Sequence, residues 1–323
     1  MKTLPEIQTL LSTEIEKLKL DRNPQGLYEP IRYTLALGGK RIRPALTLLA
    51  CNLFSNDIQP AVSPALGLEI FHNFTLLHDD IMDKADVRRG KPTVHKKWNE
   101  NAAILSGDVM QIIAYQYIAD VPERNLRQVL NVFSQMAVEI CEGQQFDMEF
   151  ENCENVQAEE YLNMIRLKTA VLLGTALKIG AWIGGSDDEN AELLYDFGIN
   201  IGLAFQLKDD LLDVYGDEKT FGKKIGGDIL CNKKTYLLIH AKNLAIGKDA
   251  EELEFYLKKS EPSEEKIRAV TDLYNRLGVR EICEEKMGFY YDMAVAKLEK
   301  VLVPTNKKHE LRNLVHKLIT RKE

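Results

Sequence analysis

Between Pro122 and Pro262 the chain holds no proline, and its apolar residues recur at spacings of three and four. Side chains so spaced share one face of an α-helix, and proline is the residue a helix interior excludes. The pattern predicts helices over 126–150, 159–182 and 191–214, with 65–78 and 102–118 before them. Gly184-Gly185-Ser186-Asp187 reads as the stop of one helix and the cap of the next. Residues 251–300 are more polar, carry Glu and Lys at helical spacing, and read as outer helices. No run of short alternating segments with Asn-Gly or Asp-Gly turns is found, so no large sheet is expected. Neither a Gly/Ser-rich nor a Pro-rich linker divides the chain, and no repeat of roughly 20–50 residues stands out. The expectation is one all-α domain over 1–323.

Composition narrows the class without naming a chemistry. A chain of 323 residues, 45% hydrophobic and 28% charged, can bury a large core without disulfides or structural metals. Cys51, Cys141, Cys153, Cys231 and Cys283 are far apart and form no Cys-x-x-Cys pair. That pattern argues against a disulfide framework or zinc site and suits a reducing cytoplasm. Residues 1–10 lack the basic-then-apolar order of a signal peptide. The most apolar stretch, 170–185, is interrupted by Lys178 and is too short to span a bilayer, so it reads as a buried helix. The net charge of −7 argues against nucleic acid as a partner. It also means that any anion site must be made locally positive by Lys, Arg or bound cations.

Two acidic clusters change the picture. Asp79, Asp80 and Asp83 follow one apolar run, and Asp209, Asp210 and Asp213 follow another, both with the spacing Asp-Asp-x-x-Asp. Residues four apart share a helix face, so Asp79 pairs with Asp83 and Asp209 with Asp213. Like charges at that spacing cost roughly 0.2–0.5 kcal/mol. Late in a helix the macrodipole disfavours them further. A solvated acidic helix end would explain one such cluster; a recurrence with identical spacing points to a hard divalent cation. Mg²⁺ takes carboxylate oxygens together with waters and substrate phosphates. Asp187-Asp188, by contrast, follows two glycines and has only the chemistry of a turn and cap.

Basic residues recur beside these acids. Gly38-Gly39-Lys40-Arg41-Ile42-Arg43-Pro44 is a glycine-rich basic stretch in which Lys40 and Arg43 can reach one anion. Arg88-Arg89-Gly90 lies just past the first acid cluster, and Arg suits phosphate through its planar fork. Lys168-Thr169, Lys223 and Lys233 are further cations in apolar or glycine-rich settings. Singly each is a surface residue or basic turn; together with two acid clusters they suit a diphosphate held between metal ions and cationic side chains.

These motifs, with Gly143-Gln144-Gln145-Phe146-Asp147, Phe205-Gln206 and Gly222-Lys223, resemble the trans-isoprenyl diphosphate synthase family, the polyprenyl synthetases, from about Tyr28 to the last helices. The stretch from Ile70 to His78 is similar to archaeal-type geranylgeranyl diphosphate synthases. The resemblance implies the isoprenoid synthase type I fold, a helical bundle around a central cavity, in a cytoplasmic homodimer. It implies three Mg²⁺ ions, two on Asp79 and Asp83 and one on Asp209. Arg88, Lys168 and Lys223, with Lys233 nearby, would hold an allylic diphosphate (dimethylallyl, geranyl or farnesyl). Lys40, Arg43, His72 and Arg89 would hold isopentenyl diphosphate. Thr169, Phe205 and Gln206 would lie beside the reacting carbons, and Gln144 and Asp147 would support the metal site. Asp80 and Asp210 point off the shared face and are expected behind the first ligands, while Met82 and Asp213 are left without an assigned contact. Phe74, with the small Thr75 next to it, would form a floor that stops the growing chain at C15 to C20, geranylgeranyl favoured. The basic tail at Arg321-Lys322 and the loops after the acid clusters are candidate lids.

Alternatives are a synthase making chains of C25 or more, and a non-catalytic subunit of a heteromeric synthase. Such subunits usually lose acids from one cluster, and both clusters are complete here. Terpene cyclases often lack the basic pair and the Gly-Gly-Lys stretch, and a diphosphate hydrolase has no need of two diphosphate-binding sets.

Overall fold

The computed structural model describes residues 2–216, 225–259 and 263–320. Among these, helices account for nearly all regular structure. The one sheet is an antiparallel ribbon of Val87–Arg88 with Lys91–Pro92. In chain order the helices are α1 (Leu4–Glu16), α2 (Gln25–Ala36), α3 (Ile42–Phe54), α4 (Val62–Met82), α5 (Val94–Lys97), α6 (Glu100–Ala119), α7 (Glu123–Asn152), α8 (Ala158–Ile165), α9 (Val171–Gly184) and α10 (Asp188–Tyr215). They continue with α11 (Gly227–Leu230), α12 (Tyr236–Leu244), α13 (Lys248–Lys258), α14 (Glu264–Leu277), α15 (Val279–Lys300) and α16 (His309–Thr320). The helices predicted over 65–78, 102–118, 126–150 and 191–214 are present, and the all-α class holds.

The chain forms two compact units. One comprises Met1–Gln135, Thr175–Tyr195 and Lys300–Arg312; the other comprises Met136–Gly174, Asp196–Glu299 and Asn313–Glu323. In the first unit α4 is buried on every side, through Ala65, Leu68, Ile70, Phe71, Phe74 and Leu77 among others. That is the surface of a core helix, and α6 packs along it. Phe71 meets Phe74 edge-on at 5.3 Å and Phe133 at 5.1 Å, and Phe133 meets Tyr115 at 4.8 Å. Full burial of each such ring contributes about 1.5–3 kcal/mol, and edge-on contact adds about 0.5–1.5 kcal/mol per pair.

In the second unit Leu203, Leu207 and Leu211 of α10 pack with Leu237 of α12, Leu253 of α13 and Leu273 of α14 in one apolar cluster. The stretch 251–300 is divided among α13, α14 and α15. Helix α14 starts where the Ser263 hydroxyl accepts from the Lys266 N–H at 3.1 Å and stops at Gly278, whose φ is 68°. Lys266, 1% exposed, spends its ammonium on neighbouring carbonyls, with Asn232 Oδ1 at 2.8 Å and Lys259 O at 3.3 Å. A buried amine tolerates that position because it is hydrogen-bonded.

Periodicity predicts one helix over 159–182, but the structure breaks it. A π-helical turn, Arg166–Ala170, separates α8 from α9. The stretch Ala158–Gly184 is long and apolar enough to cross a membrane, and 72% of its most apolar window is buried within the protein, as in a core helix. The stop-and-cap at 184–187 forms as expected: Gly185 has φ 94°, and Asp187 Oδ1 accepts from the Asn190 N–H at 2.8 Å.

Candidate active site

The first acid cluster stands at the C-terminal end of α4. Asp83 is the terminal cap, its N–H bonded to Asp79 O at 2.8 Å, and the last turn carries no basic residue. Asp79 is half-buried and Asp83 exposed, one turn apart, while Asp80 is 4% exposed. Asp80 grips Arg88: Nε lies 2.8 and 2.9 Å from the two carboxylate oxygens, and Nη2 lies 2.8 Å from Oδ1. The paired fork holds the guanidinium in one orientation. Asp80 thus stands behind the shared face, and its work is to hold Arg88.

Arg89 and Gly90 join the two ribbon strands with φ of 53° and 73°. Positive φ at both positions is what the twist of a two-residue hairpin favours. The Arg89 guanidinium donates to the Gly38 carbonyl. Gly39 has φ 131°, a backbone conformation that residues with a side chain rarely adopt, so the basic turn favours glycine here.

Lys40, Arg43, His72 and Arg89, the expected isopentenyl diphosphate set, line one cavity of about 490 Å³, with Arg41 and Glu69. Arg43 Nη1 lies 3.1 Å from His72 Nε2. Arginine can only donate, so Nε2 accepts and the ring proton belongs on Nδ1. Burial, then the charges of Arg43, Arg89, Arg88 and Arg41, hold the imidazole well below its ordinary 6.5. His72 is therefore neutral among the lysine and arginine side chains that line the cavity.

In the second unit Asp209 and Asp213 are half-buried in the last two turns of α10, again without a basic residue in the last turn. Asp213 Oδ2 accepts from the Asp228 N–H at 2.9 Å, drawing the start of α11 onto the end of α10. Asp210 is 3% exposed. Its carboxyl takes the Tyr161 hydroxyl on Oδ2 and the Gln206 amide on Oδ1, the latter at 3.3 Å. Thr169 Oγ1 in turn donates to Gln206 Oε1 at 3.3 Å. Burial, then the charge of Asp228, pushes Asp210 up to about 8. Like Asp80, it is buried while its two cluster neighbours are more open.

Lys168 and Thr169 both lie in the π-helical turn. Such turns often mark functional sites because one inserted residue redirects the side chains that follow. Lys168 Nζ meets Asp147 Oδ2 at 2.6 Å, and Lys233 Nζ lies 3.9 Å from the same oxygen. Burial raises the Asp147 carboxyl, but Lys233 and Lys168 outweigh it and hold Asp147 below its usual range. Asp147 is thus an ionised anchor for two expected diphosphate ligands. Gly143, one turn earlier on α7, lets the helix touch the turn itself: a Cβ would lie 2.4 Å from Lys168 N. Gln144 is buried and Phe205 half-buried. Thr75 bonds to His72 O at 2.8 Å beside Phe74, which is 9% exposed and meets His78 edge-on at 4.9 Å. Lys223 and the Arg321-Lys322 tail lie outside the described residues.

Four residues of these arrangements had no predicted role: Arg41, Glu69, Tyr161 and Asp228. Glu69 carried a signal, since a lone acid inside an apolar helix must find a partner. Tyr161, seven residues before Lys168, shares its helical face only if no residue is inserted between them, and Asp228 has no local signal.

Among the described residues no three His, Cys, Asp or Glu side chains form a metal cage. With Asp80 and Asp210 turned inward, each cluster presents two carboxylates on a helix end of negative dipole. That donor set fits a hard cation shared with a phosphate ligand, since Mg²⁺ commonly takes one or two carboxylates and completes its shell with water and phosphate.

Comparison with known proteins identifies the family. The polyprenyl synthetase family model matches residues 24–274. A geranylgeranyl pyrophosphate synthase of Geoglobus acetivorans is 39% identical over 292 residues, covering 90% of this chain and 89% of that protein. A geranylfarnesyl diphosphate synthase of Natronomonas pharaonis is 37% identical over 283 residues, covering 82% and 81%. A crystal structure of a geranylgeranyl pyrophosphate synthase superposes with a TM-score of 0.95 at 44% identity, covering 100% of both chains. The chain belongs to the polyprenyl synthetase family and is a prenyltransferase by descent and by fold.

Proposed function

We propose that this chain condenses isopentenyl diphosphate head to tail with dimethylallyl, geranyl and farnesyl diphosphates, giving a trans-prenyl diphosphate of C15 to C20, with geranylgeranyl diphosphate favoured. The observation that carries the reading is the basic cavity lined by Lys40, Arg43, His72 and Arg89, while other cations are held by acids of their own, Arg88 by Asp80 and Lys168 by Asp147. Two anion-binding sets suit two diphosphate substrates.

In this reading Lys40, Arg43 and Arg89 bind the isopentenyl diphosphate, and neutral His72 offers its Nδ1–H. Arg88, oriented by Asp80, and Lys168 and Lys233, steadied at Asp147, bind the allylic diphosphate together with Lys223. Asp79, Asp83 and Asp209 are the residues that would hold Mg²⁺, which supplies positive charge against the leaving diphosphate. The allylic carbon–oxygen bond breaks with its electron pair leaving on the diphosphate. The isopentenyl alkene, held in place, attacks the allylic carbon. The departing diphosphate then accepts the proton lost from the adduct. Thr169 and Gln206, linked to Asp210, turn fixed dipoles toward the reacting carbons with Phe205 beside them. Phe74, buried against Phe71 and His78, is the floor for the growing chain.

The chain works as one synthase domain and as a homodimer. Ile104, Leu105 and Ile112, exposed at 43%, 58% and 60% along one face of α6, support a second copy as partner. All five cysteines are free, which supports a reducing cytoplasm. Incubating purified protein with Mg²⁺, isopentenyl diphosphate and each allylic starter in turn, then weighing the products, tests the proposal. A dominant C20 product is expected. A dominant product of C25 or longer favours the longer-chain reading, and no condensation with any starter refutes both.

A further inference from the structure

The basic cavity contains one more cation and one acid than the anion-binding set needs. Arg41 Nη1 lies 2.5 Å from Glu69 Oε1, with the two side chains only 10% and 4% exposed. Arg41 Nη2 donates to the Leu35 carbonyl at 2.6 Å, in the last turn of α2, where helix carbonyls lack partners. Glu69 Oε1 also accepts from Asn73 Nδ2 at 2.9 Å. One guanidinium therefore ties the end of α2 and the middle of α4 to the residue just before α3. The backbone at that residue is left-handed, with φ 48° and ψ 41°. A residue with a side chain stays in that region only where its surroundings hold it. The turn held this way carries Lys40 immediately before it and Arg43 two residues after it. From outside, Arg89 holds the same turn at the Gly38 carbonyl.

We propose that Arg41 and Glu69 are positioning residues for isopentenyl diphosphate, a buried pair that locks the left-handed turn so that Lys40 and Arg43 share one cavity. The inference rests on the reading of this cavity as the isopentenyl diphosphate site, and it states how that site is pre-formed. Charge and position make opposite demands on Glu69. Removing a carboxylate from a cavity that takes a diphosphate tightens binding if only charge counts. If the pair holds the turn, the same removal weakens binding. Arg41→Lys isolates the second effect, because it keeps the charge and loses the planar fork that reaches two acceptors.

Steady-state kinetics with each substrate varied in turn test this on Glu69→Gln, Arg41→Lys and Lys40→Ala, with melting curves to confirm folding. Glu69→Gln and Arg41→Lys are each expected to raise the KM for isopentenyl diphosphate about tenfold. The KM for the allylic substrate should stay within about twofold, the split that distinguishes local positioning from general loss of binding. Lys40→Ala checks the cavity itself. If Lys40→Ala raises the isopentenyl diphosphate KM while both pair variants leave it unchanged or lower it, the positioning role is wrong and the cavity's assignment stands. If none of the three raises it, both are wrong. A rise in both KM values together with lost thermal stability in both pair variants marks a purely structural pair and also overturns the proposal.

Discussion

Replacing Gly143 by alanine adds a methyl group where α7 touches the π-helical turn. The new Cβ would lie 2.4 Å from Lys168 N and 2.8 Å from both Lys168 Cα and Leu167 C. These are backbone atoms, so no rotamer change relieves the clash. Ordinary contact begins near 3.4 Å, so the turn and α7 must part by about 1 Å. Asp147 stands one turn along the same helix, and its 2.6 Å bond to Lys168 Nζ spans the contact being opened. Overpacking of this kind costs about 1–3 kcal/mol of stability, which a chain of this size survives. A 1 Å displacement of a catalytic group costs about a hundredfold in rate. Gly143→Ala is therefore expected to remain folded, with a melting temperature lowered by a few degrees, and to lose about two orders of magnitude in kcat. The assay is steady-state condensation with radiolabelled isopentenyl diphosphate beside a thermal melt. A folded variant with kcat within about threefold of the parent would show that the position of the π-helical turn does not govern turnover.

Asp79→Ala should abolish turnover at ordinary Mg²⁺, with a loss beyond about a hundredfold; a retained rate would remove Asp79 from the metal role. Phe74→Ala opens the floor beside Phe71 and His78 and should lengthen the product, at a stability cost of about 3–5 kcal/mol; an unchanged chain-length profile on reversed-phase chromatography would discard the floor. His72 is held well below 6.5 by burial and neighbouring arginines, so the unfolded chain binds its proton first as pH falls. The stability His72 contributes is present above about 6.5 and is lost as pH drops from there toward the lower folded value. His72→Gln should therefore lose less melting temperature between pH 7.5 and 5 than the parent, and equal losses would contradict the neutral, buried assignment.

The helices were legible where one signal dominated. For 102–118 the apolar period alone placed α6 within two residues at its start and one at its end. The chemistry of 184–187 likewise marked the end of α9 and the cap of α10. The π-helical turn was illegible because an inserted residue leaves the composition of an apolar run unchanged; it shows only in the folded backbone at Arg166–Ala170. The same limit applies to the acids. Spacing separated Asp79 and Asp83 from Asp80, and Asp209 and Asp213 from Asp210, because a helix turns about 100° per residue. It could not show that Asp80 would take Arg88 or that Asp210 would take Tyr161, since those partners come from other elements.

The sequence by itself determined the helical class, the two acid-bearing helix ends and the inventory of cations, because periodicity and side-chain charge are local properties of the chain. Only the tertiary structure decided which cation each acid holds. It gave Asp147 to Lys168, Asp80 to Arg88 and Glu69 to Arg41, pairings between residues 8 to 28 positions apart that arise when separate elements pack and a charge taken out of water must be matched by whatever cation the packing brings to it.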